Sequence, residues 1–67
     1  MKYKVGDRVR CIVPAFIEMF AEHNIWVIHH IKTPAKNPSM YVAYREDDKN
    51  KMLYRFLESE VVYEEEI

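Results

Sequence analysis

The chain contains a single glycine, Gly6, which lies in a Val-Gly-Asp turn leading directly into a segment of alternating side chains. Because glycine alone takes a positive φ without steric cost, a tight turn forms most easily at this position. Beyond the turn, apolar side chains occupy one face of the extended chain and two arginines the other, the period of two that a half-buried strand requires. The sequence therefore predicts a turn at Gly6 and a first β-strand over Arg8–Val13.

Four further segments have the alternating or continuous apolar character of strands. They are Ile25–Lys32, Met40–Arg45, Lys51–Phe56 and Glu60–Tyr63. The connection between the third and fourth predicted strands has no glycine, which favours a hairpin joined by four or five residues over a two-residue turn. Two prolines interrupt Thr33–Ser39, so we expect a loop there. These patterns predict a mainly β chain.

One short helix is predicted in the first long connection, over Ala15–His23. Pro14 ends the first strand and can open a helix, since its missing N–H would have no partner there. Phe16 and Phe20 fall on one face of this segment, at helical spacing. We expect Asn24 to end the helix, as a residue that tolerates the left-handed region.

The length of the chain limits how much surface it can bury. We expect residues 1–67 to form one domain, and a chain this short buries only about 60% of the surface that its unfolded form exposes. Cys11 is the only cysteine, so no internal disulfide can compensate. The core therefore needs large side chains, which the nine aromatic residues can supply. A homodimer is the other way to gain buried surface, and it stays open.

The same features suggest a location in the cell. A lone cysteine is typical of a reducing compartment, so we expect Cys11 to be a small buried hydrophobe in a cytoplasmic protein. No apolar stretch approaches the roughly 20 residues that a membrane-spanning helix needs. No signal peptide is indicated after the first residues. We therefore expect no membrane association.

Charge is divided unevenly along the chain, although the formal net charge is only −1. Residues 1–36 carry an excess of basic side chains and residues 37–67 an excess of acidic ones. A near-neutral total argues against a protein built to grip a phosphate backbone without regard to sequence. If the first and last strands lie side by side, these charges can neutralise each other on one face.

The order of these segments resembles that of a known architecture. Five short strands, the Val-Gly-Asp-x-Val opening and the closing segment Phe56–Val61 look like an SH3-like barrel, similar in order to KOW-type domains, to the photosystem I subunit PsaE and to small phage and prophage proteins. The resemblance implies a five-stranded SH3-like barrel with one short helix in the first long loop. KOW-type domains carry a second glycine before a Val-rich strand, where this chain has Asn24.

Chemistry at a site is not indicated by the sequence. Three histidines and Cys11 could in principle hold zinc, but His29 and His30 are adjacent and would point to opposite faces of a strand. In that strand Trp26 and Ile28 would share the face of His30. No nucleophile has a neighbouring base, and one glycine cannot form a phosphate-binding loop. We therefore predict no catalytic residue, no metal and no cofactor.

Binding is the function that the composition favours. SH3-like barrels present aromatic side chains as a shallow groove, and we predict that contacts to a protein partner come from Phe16, Phe20, Trp26 and Tyr44. Filling the core is the competing role for these rings. The alternative is a nucleic-acid-binding domain that uses a local basic and aromatic face around Arg8, Arg10 and Lys32. The leading expectation is a non-enzymatic protein-interaction module, a small bacterial or phage accessory protein.

Overall fold

A computed structural model describes residues 2–33 and 40–66. In order along the chain, the elements are β1 (Arg8–Cys11), α1 (Pro14–Met19), β2 (Trp26–Lys32), β3 (Met40–Arg45), β4 (Leu53–Leu57) and β5 (Val61–Tyr63). Short 3-10 helices cover Glu58–Glu60 and Glu64–Glu66. The prediction of a mainly β chain with one short α-helix is confirmed. The loop predicted at Thr33–Ser39 lies, after its first residue, outside the described residues.

The five strands form one antiparallel sheet in the order β4-β3-β2-β1-β5. The sheet is not closed, and β4 and β5 form its two edges. The first and last strands lie side by side, with Val9 opposite Tyr63 and Cys11 opposite Val61. Pairing of β1 with β5 joins the basic beginning of the chain to its acidic end.

The turn predicted at Gly6 is confirmed. Gly6 has a φ of 92°, a conformation that side chains with a Cβ rarely adopt. The backbone N–H of Asp7 donates to the carbonyl of Lys4 at 3.0 Å, and the Asp7 carboxylate accepts from the N–H of Lys4 at 2.9 Å. The turn is followed directly by β1, which lies between β2 and β5 in the sheet.

The core is formed by large side chains from every strand and from the segment before β1. Tyr3 is fully buried, and its hydroxyl donates to the carbonyl of Val61 at 2.9 Å. The other core residues are Val9, Cys11, Trp26, Ile28, Tyr41, Ala43, Phe56 and Val61. Val42 is also buried, but it lies on the opposite face of the sheet from Tyr41 and Ala43. The predicted burial of Cys11 is confirmed, and burial raises the pKa of its thiol.

Helix α1 is shorter than predicted, because it ends at Met19 and not at His23. The backbone leaves the helical region at Phe20, where φ is −122° and ψ is 35°. The chain then turns so that Asn24 enters the core. The prediction of a left-handed conformation at Asn24 is wrong: among the described non-glycine residues only Lys51 has a positive φ, of 49°.

Asn24 instead acts through its side chain. Its Oδ1 accepts from the indole N–H of Trp26 at 2.8 Å and from the N–H of Cys11 at 3.2 Å, and its Nδ2 donates to the carbonyl of Cys11 at 2.8 Å. These bonds tie the end of β1 to the start of β2 across the α1 connection. A buried amide of this kind is stable because each of these polar groups has a partner.

Strand β2 contains a β-bulge that the sequence did not indicate. Ile28 lies opposite Ala43, whereas the next paired residue, His30, lies opposite Val42, so His29 is an extra residue in β2. After the bulge, Ile31 lies opposite the buried Tyr41 and turns toward the core. The prediction that His30 shares a face with Trp26 and Ile28 is therefore wrong.

No helix in the described ranges 2–33 and 40–66 is long and apolar enough to span a membrane.

Candidate protein-binding face

The two phenylalanines of the first connection pack onto the core. The ring of Phe16 lies 5.5 Å from that of Phe56 and 6.1 Å from that of Trp26, and the ring of Phe20 lies 5.4 Å from Trp26 (centroid distances). Both are half-buried, and Tyr54 contacts both. Phe16 on α1 and Phe20, which follows the helix, therefore cover the core, and each ring keeps part of its surface exposed.

Of the other two predicted contact residues, Trp26 is fully buried and offers no surface in this fold. Tyr44 is half-exposed, but it follows Ala43 of the core in β3 and so lies on the opposite face of the sheet from the two phenylalanines. The four predicted contact residues thus do not form one surface. Phe16, Phe20 and Trp26 belong to one aromatic cluster, whereas Tyr44 lies on the other face of the sheet.

Tyr44 lies in a regular array that we call the outer sheet face. The register places three rows of side chains across β2, β3 and β4 on the side away from the core. The rows are Val27–Tyr44–Leu53, His30–Val42–Arg55 and Lys32–Met40–Leu57. The bulge adds His29 to the same side, where its ring centroid lies 6.3 Å from that of Tyr44.

The outer sheet face combines exposed leucines with positive charge. Leu53 is 45% exposed and Leu57 39% exposed. None of the three strands contains an aspartate or a glutamate. Among the described residues Lys32 and Arg55 have no ion-pair partner, and the amine of Lys51 lies 5.2 Å from the centre of the Tyr44 ring. The face is therefore apolar with a cationic rim.

The two arginines predicted for nucleic-acid binding lie in different surroundings. Arg8 forms ion pairs with Glu46 at 2.6 Å and with Glu64 at 2.9 Å, and the hydrogen bond to Glu46 raises the pKa of Arg8. Arg10 is half-buried, and its Nε has no hydrogen-bond partner in the described structure. Of the three predicted residues, only Lys32 is both exposed and without an ion pair to any residue that the structure describes, and it belongs to the outer sheet face.

The bulge also changes the arrangement of the histidines. The prediction that the side chains of His29 and His30 point to opposite faces of the strand is wrong, because their Nδ1 atoms lie 2.7 Å apart. His23 is elsewhere, with its Nδ1 3.0 Å from Asp47. No group of three or more His, Cys, Asp or Glu residues that could hold a metal ion lies together within the described ranges.

An open groove of about 470 Å³ adjoins the outer sheet face at Leu57. Ile12, which is 42% exposed, and Val62 form its apolar floor together with Leu57. Its remaining lining residues are Lys2, Glu58, Ser59 and Val61. The exposed apolar surface therefore continues from β4, at one edge of the sheet, to β5 at the other edge and to Ile12, which follows β1.

Sequence reasoning missed Leu53 and Leu57 as surface residues. In an isolated strand pattern a leucine signals a buried face, and only the register of β4 with β3, which sets these two beside Tyr44 and Met40, shows that they point outward. Arg55 between them is the one local signal of an exposed face, because it shares their period of two.

Comparison with known proteins gave no match to any protein-family model, curated protein or solved structure.

Proposed function

We propose that this chain is a non-enzymatic protein-interaction module of SH3-like barrel architecture, which binds its partner through the outer sheet face. The observation that carries the proposal is the pair of exposed leucines, Leu53 and Leu57, on a face whose strands have no carboxylate. Exposed apolar side chains with a polar rim are typical of interaction sites. The strand order, with β5 beside β1 and the helix in the first connection, supports the barrel architecture.

The occupant that this face favours is an acidic protein segment with apolar side chains. Leu53 and Leu57 lie four positions apart on one face of β4, so they can receive two apolar side chains of an extended or helical segment. Arg55 between them and Lys32 beside them would pair with carboxylates of that segment. Complementary charge of this kind speeds association and selects among partners.

A second candidate is single-stranded nucleic acid on the same face. The observation that favours it is Tyr44, a half-exposed ring beside His29 and Lys51, on which a base could stack. The exposed leucines favour the protein partner, since a phosphate backbone gains nothing from them.

The experiment is an amide chemical-shift titration of the labelled protein with two probes. One probe is a short glutamate-rich peptide that carries two leucines four residues apart, and the other is single-stranded oligothymidylate. We expect the peptide to shift the amides of β3 and β4 and the oligonucleotide to leave them unchanged. Shifts caused by the oligonucleotide alone would establish the second candidate and contradict the first.

Two pairs of variants locate the interaction. Arg55→Gln should strongly weaken the peptide-induced shifts, whereas Arg8→Gln, which removes an arginine already paired with Glu46 and Glu64, should preserve them. Leu53→Ser should weaken peptide binding, and Met19→Ser, at a residue 68% exposed on α1, is its apolar control. Equal effects within either pair would show that the outer sheet face is not the binding site.

A further inference from the structure

We infer that His29 and His30 form a two-nitrogen chelate for a divalent transition metal of the Ni²⁺ or Cu²⁺ type. The inference rests on the β-bulge in β2, which places both imidazoles on one side of the sheet with their Nδ1 atoms 2.7 Å apart. Adjacent histidines in a regular strand cannot make this arrangement, since their side chains alternate between faces. The pair lies on the outer sheet face, but the inference rests on the bulge and the two imidazoles and not on the proposed function.

The distance between the two nitrogens is close to the spacing that two ligands of one metal ion have when their bonds to it form a right angle. With metal–nitrogen bonds of about 2.0–2.1 Å, two nitrogens at a right angle lie about 2.8–3.0 Å apart, and at a tetrahedral angle about 3.3 Å. The observed 2.7 Å is a hydrogen-bond separation, so the two nitrogens would move apart by only about 0.1–0.3 Å to reach the right-angled spacing and by about 0.6 Å to reach the tetrahedral one. Right-angled positions belong to tetragonal and octahedral ions such as Cu²⁺ and Ni²⁺, and not to tetrahedral Zn²⁺.

The protons of the two rings balance without any further reactant. At 2.7 Å one neutral ring donates its Nδ1–H to the bare Nδ1 of the other. When a metal binds, the donor ring carries its proton on Nε2 instead, and both Nδ1 lone pairs face the ion. Water fills the remaining coordination positions, so the ion stays open to a side chain of a partner.

The charge around the pair opposes a cation. Lys51 lies over the Tyr44 ring beside His29, and Arg55 lies in the same row as His30. The affinity for the metal ion must therefore come from its bonds to the two imidazoles and not from electrostatic attraction by neighbouring side chains. Salt screens such repulsion, so binding should not weaken as NaCl is raised. Nonspecific binding of the metal ion to the acidic segment Glu64–Glu66 would instead weaken as NaCl is raised.

The test is a calorimetric titration of the protein with NiCl₂ at low and moderate salt, with resonance broadening by paramagnetic Ni²⁺ as a second readout. We expect one saturable site that broadens the amides around His29, His30 and Tyr44. Loss of an orienting partner alone costs metal sites about 10- to 100-fold in affinity, so His29→Ala should weaken binding by at least about tenfold. His29 is exposed, so this variant should keep the fold.

His23→Ala is the matched control, because it removes an exposed histidine away from the pair. It should leave the Ni²⁺ affinity unchanged, and His30→Ala should lower it as His29→Ala does. The inference would be overturned by wild-type protein without saturable binding, by unchanged affinity in His29→Ala, or by loss of affinity in His23→Ala. Affinity that falls steeply with salt would also overturn it, since it would place the ion on the acidic segment.

Discussion

At the scale of single residues, Asn24 shows how one polar side chain can organise a small core. It lies between β1 and β2 and satisfies both backbone groups of Cys11 as well as the indole N–H of Trp26. Nothing in the pattern of the sequence distinguishes such an asparagine from one that ends a helix. The difference depends on which long-range partners the fold supplies, and a local pattern does not contain them.

Asn24→Ala should be among the most destabilising single changes in this chain. It leaves three buried polar groups without partners, each costing about 1–3 kcal/mol, so we expect the free energy of unfolding to fall by about 3 kcal/mol or more. Urea unfolding followed by tryptophan fluorescence measures this. Asn50→Ala removes an exposed amide and is the control. Equal losses in the two variants would refute the role assigned to Asn24.

Asp48 gives the stability a dependence on acid. Its carboxylate accepts the backbone N–H groups of Asn50 and Met52 at 3.0 and 3.1 Å, and these bonds lower its pKa below the ordinary 3.8. A lowered pKa in the folded state means that the contribution is present above pH 3.8 and is lost as the pH falls through the folded value. Asp48→Ala should therefore flatten the acid limb of the stability curve. An unchanged acid limb would contradict this.

At the scale of elements, α1 covers the core with the half-buried ring of Phe16 and leaves its other side chains exposed. Phe16→Ala should lower the free energy of unfolding by about 3 kcal/mol, because the ring fills space between Trp26, Tyr54 and Phe56. Ile17→Ala, at a neighbouring residue that is 43% exposed, should cost much less. Thermal unfolding of both variants measures the difference. Similar melting temperatures would mean that the helix does not cover the core.

Most element boundaries followed from periodicity and breakers. β3 has the predicted bounds, and β5 differs from its prediction by one residue. β1 ends at Cys11 and not at Val13, because Pro14 opens α1 and the preceding residue, Val13, caps it. The bulge in β2 was not predicted, because it is defined by the register in which β2 pairs with β3, and the residue types of β2 alone do not show that register.

At the scale of the whole molecule, charge is segregated. The carboxylates lie outside β2, β3 and β4, which leaves the outer sheet face cationic in a chain whose formal net charge is −1. Composition gives only the total, so the charge of one face could not be predicted before the register was known. The same holds for the exposed leucines, whose side of the sheet depends on the strand order.

The segregation bears on the open question of a homodimer. Two outer sheet faces brought together would oppose like charges at Lys32 and Arg55, so we expect a monomer at low salt. Added salt screens these charges over about 10 Å and leaves the leucines free to associate. Sedimentation velocity should therefore show association that grows with NaCl and is absent in the double variant Leu53→Ser, Leu57→Ser. A dimer that is stable at low salt would contradict this expectation.

Because β1 pairs with β5, the core can form only late in the synthesis of the chain. Tyr3 donates to the carbonyl of Val61 across 58 residues, and Tyr63 donates to the carbonyl of Lys2. A ribosome therefore makes β1 long before its last partner exists, and loop closure over that distance must precede the final contacts. The core can form only after β5 has emerged, so synthesis that stops before Val61 should yield an unfolded chain and not a smaller folded one.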